Sequence, residues 1–195
     1  MANSPTYLKK ILPALPRAAI YARLGFKKKT TQLHPPDERE TDRLIDEAAS
    51  LIVVQGAFLR SAVVRRDEHC VELADSAAFE SVKLAAFLRD CREVLLMGAT
   101  VGAAILDAVG AKMLAGDMKA AVVYDATASE LADAALDWMM DFVNGQLRRE
   151  GKVLLPRRFS AGYADFGLQN QKIFHTRLDL AQIGISITKD RKSVV

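Results

Sequence analysis

The first 36 residues contain no aspartate and no glutamate, yet they hold seven lysines and arginines. The whole chain of 195 residues carries a net charge of +3, so the remainder sums to −4. Cysteine is scarce. Cys70 and Cys91 form no CxxC pair and no zinc spacing, which points to free thiols in a reducing compartment. The three histidines, His34, His69 and His175, are scattered, and none is paired at helical spacing with a second metal ligand. No window of about 18 residues is free of charge, which argues against a membrane span. The N-terminus lacks the layout of a secretory signal, and Pro5, Pro13 and Pro16 break the amphipathic helix a transit peptide needs. GxxxxGK[ST], GxGxxG after a strand and GxSxG do not occur, so nucleotide-loop and serine-hydrolase chemistry lack their usual carriers. A complete hydrolase or dehydrogenase is disfavoured.

What is present reads as one basic arm and one mixed domain. Residues 1–36 are expected to form a partly mobile basic N-terminal arm, ending at the extended His34-Pro35-Pro36, and 37–195 the domain. A helix is expected over 37–54, and strands over 56–66 and 70–75 as a hairpin. Residues 79–91 read as a helix. Residues 92–102 read as a buried strand ending in the flexible Gly98-Ala99-Thr100-Val101-Gly102, followed by a helix with breaks at Gly110 and Gly116. A long helix is expected from Asp117 to about Arg149, with Leu131, Ala134, Ala135, Trp138 and Phe142 on one stripe and Glu130, Asp133, Asp137 and Asp141 on another. Residues 168–182 read as a helix and 184–188 as a last strand. Without regular βαβ alternation, the fold class is α+β with an antiparallel sheet.

Between the two C-terminal helical patterns lies RRFSAGYADF, residues 157–166. Arg158 offers a rigid fork of donors suited to a carboxylate or phosphate. Gly162 lets a ligand approach the backbone without meeting a Cβ, and Tyr163 can stack on a heterocycle. The spacing fits a small ligand with a carboxylate and an aromatic base; a plain structural loop fits it as well.

This segment resembles the RxxxGY signature of the activation domain of vitamin B12-dependent methionine synthase. IYARLGFKKKT (20–30), LLMGATVG (95–102), DMKAAVVYDATASELADAALD (117–137), RRFSAGYADFGLQNQKIF (157–174) and IGISIT (183–188) follow the order of stand-alone relatives of that domain. The resemblance implies a twisted antiparallel sheet flanked by helices. It implies a cytoplasmic subunit that binds S-adenosylmethionine and helps to remethylate cob(II)alamin on a separate methionine synthase in methionine biosynthesis. Such a chain is a component of a methyltransferase, not a complete enzyme. The cobalamin would be held by the partner, since this sequence has no corrinoid-ligating DxHxxG, and the electron would come from a flavodoxin- or ferredoxin-type donor. Arg158, Gly162 and Tyr163 match the motif. Asp133 stands where the family uses an acid on the preceding long helix, with Glu130 its nearest rival and a solvated helix face the plain alternative.

The sequence also departs from the family. Ala164 follows the GY where proline is frequent, and Lys189 stands where the family has an acid. An acid near the domain's N-terminus and a tyrosine beyond its last strand have no match. These departures suit an alternative, a non-catalytic module that docks on a corrinoid protein without binding S-adenosylmethionine. A nucleic-acid-binding domain is a third reading, supported only by the basic arm.

Overall fold

The computed structural model describes residues 4–26, 34–187 and 193–194. Lys27, Lys28 and Lys29 of the expected arm, and Lys189, lie outside the described residues. The elements run β1 (Thr6–Leu8), α1 (Arg17–Arg23), α2 (Pro35–Leu51), β2 (Gln55–Arg66), β3 (Cys70–Leu73), β4 (Ala78–Glu80), α3 (Val82–Phe87), β5 (Glu93–Thr100), α4 (Ala103–Leu114), α5 (Met118–Leu147), α6 (Gln171–Leu178), β6 (Ser186–Ile187) and β7 (Ser193–Val194). The α+β class with a curled antiparallel sheet flanked by helices is the fold found. Among the described residues no helix is long and apolar enough to cross a membrane.

The chain divides into two compact units. The first comprises residues 1–8, 56–98 and 143–195 and holds the sheet, in the order β1-β2-β3-β4 with β5 also paired to β2. β2 and β3 form the expected hairpin, antiparallel with Arg66 opposite Val71 and a register shift between Val63 and Arg65. β1 adds an antiparallel strand, Thr6 facing Phe58 and Leu8 facing Gly56. The core of this unit gathers Leu59, Val71, Leu73, Phe79, Leu84, Phe166 and Leu178. Each large apolar side chain so buried stabilises the fold by roughly 1.5–3 kcal/mol.

The second unit, residues 9–55 and 99–142, is helical. Its core joins Ile20 of α1, Leu44, Ile45 and Ala48 of α2, Ile105 of α4, and Val123, Tyr124 and Leu131 of α5. α2 starts at Pro35 rather than Asp37, because proline is tolerated at the first helical position, where its missing N–H costs nothing.

The described part of the basic segment is not a separate arm. Thr6–Leu8 is a sheet strand, Ile11 and Ile20 are buried, and Arg17 pairs with Asp42 and Asp46 of α2. Arg23 Nε pairs with Glu130 at 2.5 Å. Composition alone hid this, because every acid that meets these cations lies beyond residue 36.

Three further expectations change. Residues 79–91 split into β4 and the short α3, because the Ser81 side chain accepts the Leu84 N–H at 3.0 Å and starts the helix there. Gly110 sits inside α4, and the break comes only at Gly116, with φ +75°. In the second half of α5 the buried positions are Leu131, Ala135, Met139, Val143 and Leu147, while Trp138 and Phe142 flank them as a stacked pair 5.4 Å apart. Their i,i+4 spacing lets the two rings stack along the helix surface.

In the first unit, Arg60 and Lys152 form a charge network with Glu93 and Glu150. Arg60 donates to Glu150 at 2.6 and 2.8 Å and to Glu93 at 2.7 Å, and Lys152 donates to Glu93 at 2.6 Å. Hydrogen bonds from Arg60, then from Lys152, hold the Glu150 carboxyl down at about 2, against an ordinary 4.5. Glu93 is lowered too, by Lys152 first. A depressed carboxylate stabilises the fold above its unfolded value and loses that contribution as pH falls through the folded one. The urea midpoint is therefore expected to fall between about pH 4.5 and pH 2. Glu150→Gln should flatten that fall, and added salt should blunt it. An identical pH profile in the variant would exclude the network as its source.

Candidate functional site

α5 ends in a tight helical turn closed by Gly151, with φ +66°. Beyond it, Leu154 N–H donates to the Asn144 side chain at 2.8 Å, which returns the chain along the helix end. The segment 157–166 follows and folds on itself. Gly162 N–H donates to Phe166 O at 2.6 Å, Tyr163 N–H to Ser160 O at 3.1 Å, and Phe166 N–H to Tyr163 O at 3.0 Å.

Aromatic packing anchors this loop. Phe166 is 1% exposed and lies 5.6 Å from Phe79, 5.9 Å from Phe159 and 6.3 Å from Phe174, ring centre to ring centre. Phe159 also meets Phe87 of α3 at 5.5 Å and takes Tyr163 edge-on at 5.5 Å. Buried rings at these angles add about 0.5–1.5 kcal/mol per pair beyond their area.

On this base the motif residues are displayed. Arg158 is half-buried and Gly162 is exposed. Tyr163 is 66% exposed, held on one side by Phe159. Gly162 has φ +95°, and a Cβ there would fall 2.7 Å from the Leu168 side chain. Its N–H is already committed to Phe166. The glycine thus serves the turn and the close packing of Leu168, not ligand donation.

Asp165 is the residue of this segment whose role the sequence did not disclose. Its carboxylate accepts Ser81 Oγ–H at 2.6 Å, Val82 N–H at 2.7 Å and Lys83 N–H at 3.3 Å. The Ser81 hydroxyl, then the backbone N–H groups, hold its carboxyl below the usual range. A serine before an apolar helical run is a readable start signal for α3. No local signal joins it to an aspartate more than eighty positions away.

Arg158, Gly162 and Tyr163 are therefore brought together on one loop of the first unit. Asp133 is exposed on the α5 part that belongs to the second unit. Its rival Glu130 is engaged by Arg23. The second unit also carries an apolar hollow of about 330 Å³ lined by Ile11, Leu15, Ile52, Leu131 and Lys10. His175 bonds Ile185 O at 2.9 Å, a tie between α6 and the strand region after it. Both cysteines are free and half-buried, and burial pushes the Cys91 thiol up.

No protein-family model matches this sequence, and no curated protein matches it. Among solved structures, the MetH reactivation domain bound to AdoHcy is similar, with a TM-score of 0.67. The match covers 98% of this chain and 75% of that one at 12% sequence identity. At that identity the likeness is one of fold, and it runs through nearly the whole of this chain.

Proposed function

We propose that this chain binds S-adenosylmethionine at the 157–166 loop and serves the reductive reactivation of a cobalamin-dependent methionine synthase. It would act in trans, with the cobalamin held by the partner and the electron delivered by a flavodoxin- or ferredoxin-type protein in the cytoplasm. The observation that carries the reading is the display of Arg158, Gly162 and Tyr163 on one anchored loop, in the fold of a domain solved with AdoHcy, S-adenosylhomocysteine.

The residues suit such a ligand. The Arg158 guanidinium can pair with the methionyl carboxylate, and its partial burial strengthens that pair relative to one in open water. Tyr163 presents a ring to the adenine, with its tilt set by Phe159. Gly162 shapes the turn that presents them both. When bound, S-adenosylmethionine supplies an electrophilic methyl group on sulfur; the protein's part is to hold and orient it.

Calorimetric titration of S-adenosylmethionine and S-adenosylhomocysteine, with and without a corrinoid-carrying methionine synthase, tests this. Arg158→Ala should weaken binding by about 1.5–3 kcal/mol, roughly 10- to 150-fold. Unchanged affinity would remove Arg158 from the site. No binding up to millimolar ligand in either setting would leave the docking module as the better reading.

A further inference from the structure

We infer that Asp165 is the positioning residue of the 157–166 loop, latching it to α3 so that Arg158 and Tyr163 keep a fixed spacing. For its ligand this rests on the binding reading above. α3 meets the loop at both ends. Its N-terminal amides, Val82 and Lys83, and the Ser81 hydroxyl hold Asp165. At its other end, Phe87 packs on Phe159, the residue next to Arg158. Tyr163 is two residues from the latch on one side and edge-on to Phe159 on the other.

The latch also accounts for an unfavourable backbone. Ala164 has φ +52° and Gly162 φ +95°, two left-handed residues within three. A non-glycine residue in that region persists only where its surroundings hold it. Here the surroundings are the buried Phe166 ring and the three donors on Asp165. The Ser81 hydroxyl works twice, because it accepts Leu84 N–H and donates to Asp165. One side chain thereby starts the helix and fastens the loop.

Asp165→Ala, Asp165→Asn and Ser81→Ala in the full chain test this. Leu73→Val, a core change in the same unit away from the latch, controls for stability. Well below every melting midpoint, Asp165→Ala is expected to lose at least tenfold in affinity for S-adenosylhomocysteine. Asp165→Asn, which keeps one carbonyl acceptor, should recover much of it, and Leu73→Val should bind as the parent does. Hydrogen exchange gives a second, ligand-free readout. The Gly162, Tyr163 and Phe166 amides should lose at least tenfold protection in Asp165→Ala. If that variant fails to fold, Ser81→Ala and Asp165→Asn are read in its place, with smaller losses in the same direction. Parent-like affinity and exchange in the latch variants, or losses matched by Leu73→Val, would overturn the inference. Should the parent chain bind no ligand, the binding reading falls, and the exchange measurement alone decides the latch.

Discussion

Phe166→Ala is expected to lower the unfolding free energy by about 3–5 kcal/mol, as read from urea unfolding. The ring is 1% exposed, and Phe79, Phe159 and Phe174 surround it. Its removal forfeits the transfer of a phenyl group from water and leaves a cavity that stiff aromatic neighbours cannot collapse into. Typical domains have only about 5–15 kcal/mol in hand, so the variant should stand near the edge of folding. Phe166→Leu keeps most of the volume and should cost less than half as much. The effect reaches the loop, because Phe159 leans on Phe166 and Tyr163 leans on Phe159. A loss under about 1 kcal/mol would mean that Phe166 is not the loop's anchor.

Ala164→Pro should be the more instructive failure. Proline at this position is frequent in the family that the sequence resembles, so the substitution looks conservative. In this chain Ala164 has φ +52°, and a proline ring holds φ near −65°. The loop would have to give up its present turn. Three backbone hydrogen bonds depend on that turn, from Gly162, Tyr163 and Phe166. At about 1 kcal/mol each, the loss is roughly 3 kcal/mol, with affinity at the proposed ligand site falling alongside. Ala164→Gly should do the opposite and stabilise by up to about 1 kcal/mol, since glycine enters the left-handed region without a steric penalty. A proline variant as stable and as competent in binding as the parent would show that the loop takes another backbone path.

These two residues also mark where reading the sequence succeeds and where it stops. RxxxGY was visible as a motif, and its three residues do share one loop. The long α5 follows from hydrophobic periodicity, the β2–β3 hairpin from β-branched runs about a turn, and β5 from an unbroken apolar run, all of them local signals. Asp165 was beyond reach because its donors, Ser81, Val82 and Lys83, are distant in the chain and two of them are backbone amides. The basic segment misled for a related reason. Arg17 and Arg23 looked like a solvated run, since charge counted along the chain says nothing of Asp42, Asp46 and Glu130 across it. Trp138 and Phe142 read onto the apolar stripe with Leu131 and Ala135, yet the buried stripe steps in fours through Leu131, Ala135, Met139 and Val143.

β1 lends itself to one more conclusion. Three residues add little to the core, and their basic surroundings invite a cut after Leu8. Such a cut would strip the cover from Gly56–Phe58 of β2. Ala57 and Phe58 are buried in the intact chain, so the bared edge would be greasy as well as rich in unpaired amides and carbonyls. Exposed edges of that kind recruit strands from other molecules. Trimming this short strand is therefore expected to promote self-association, and a trimmed protein that clumps would be reporting its loss.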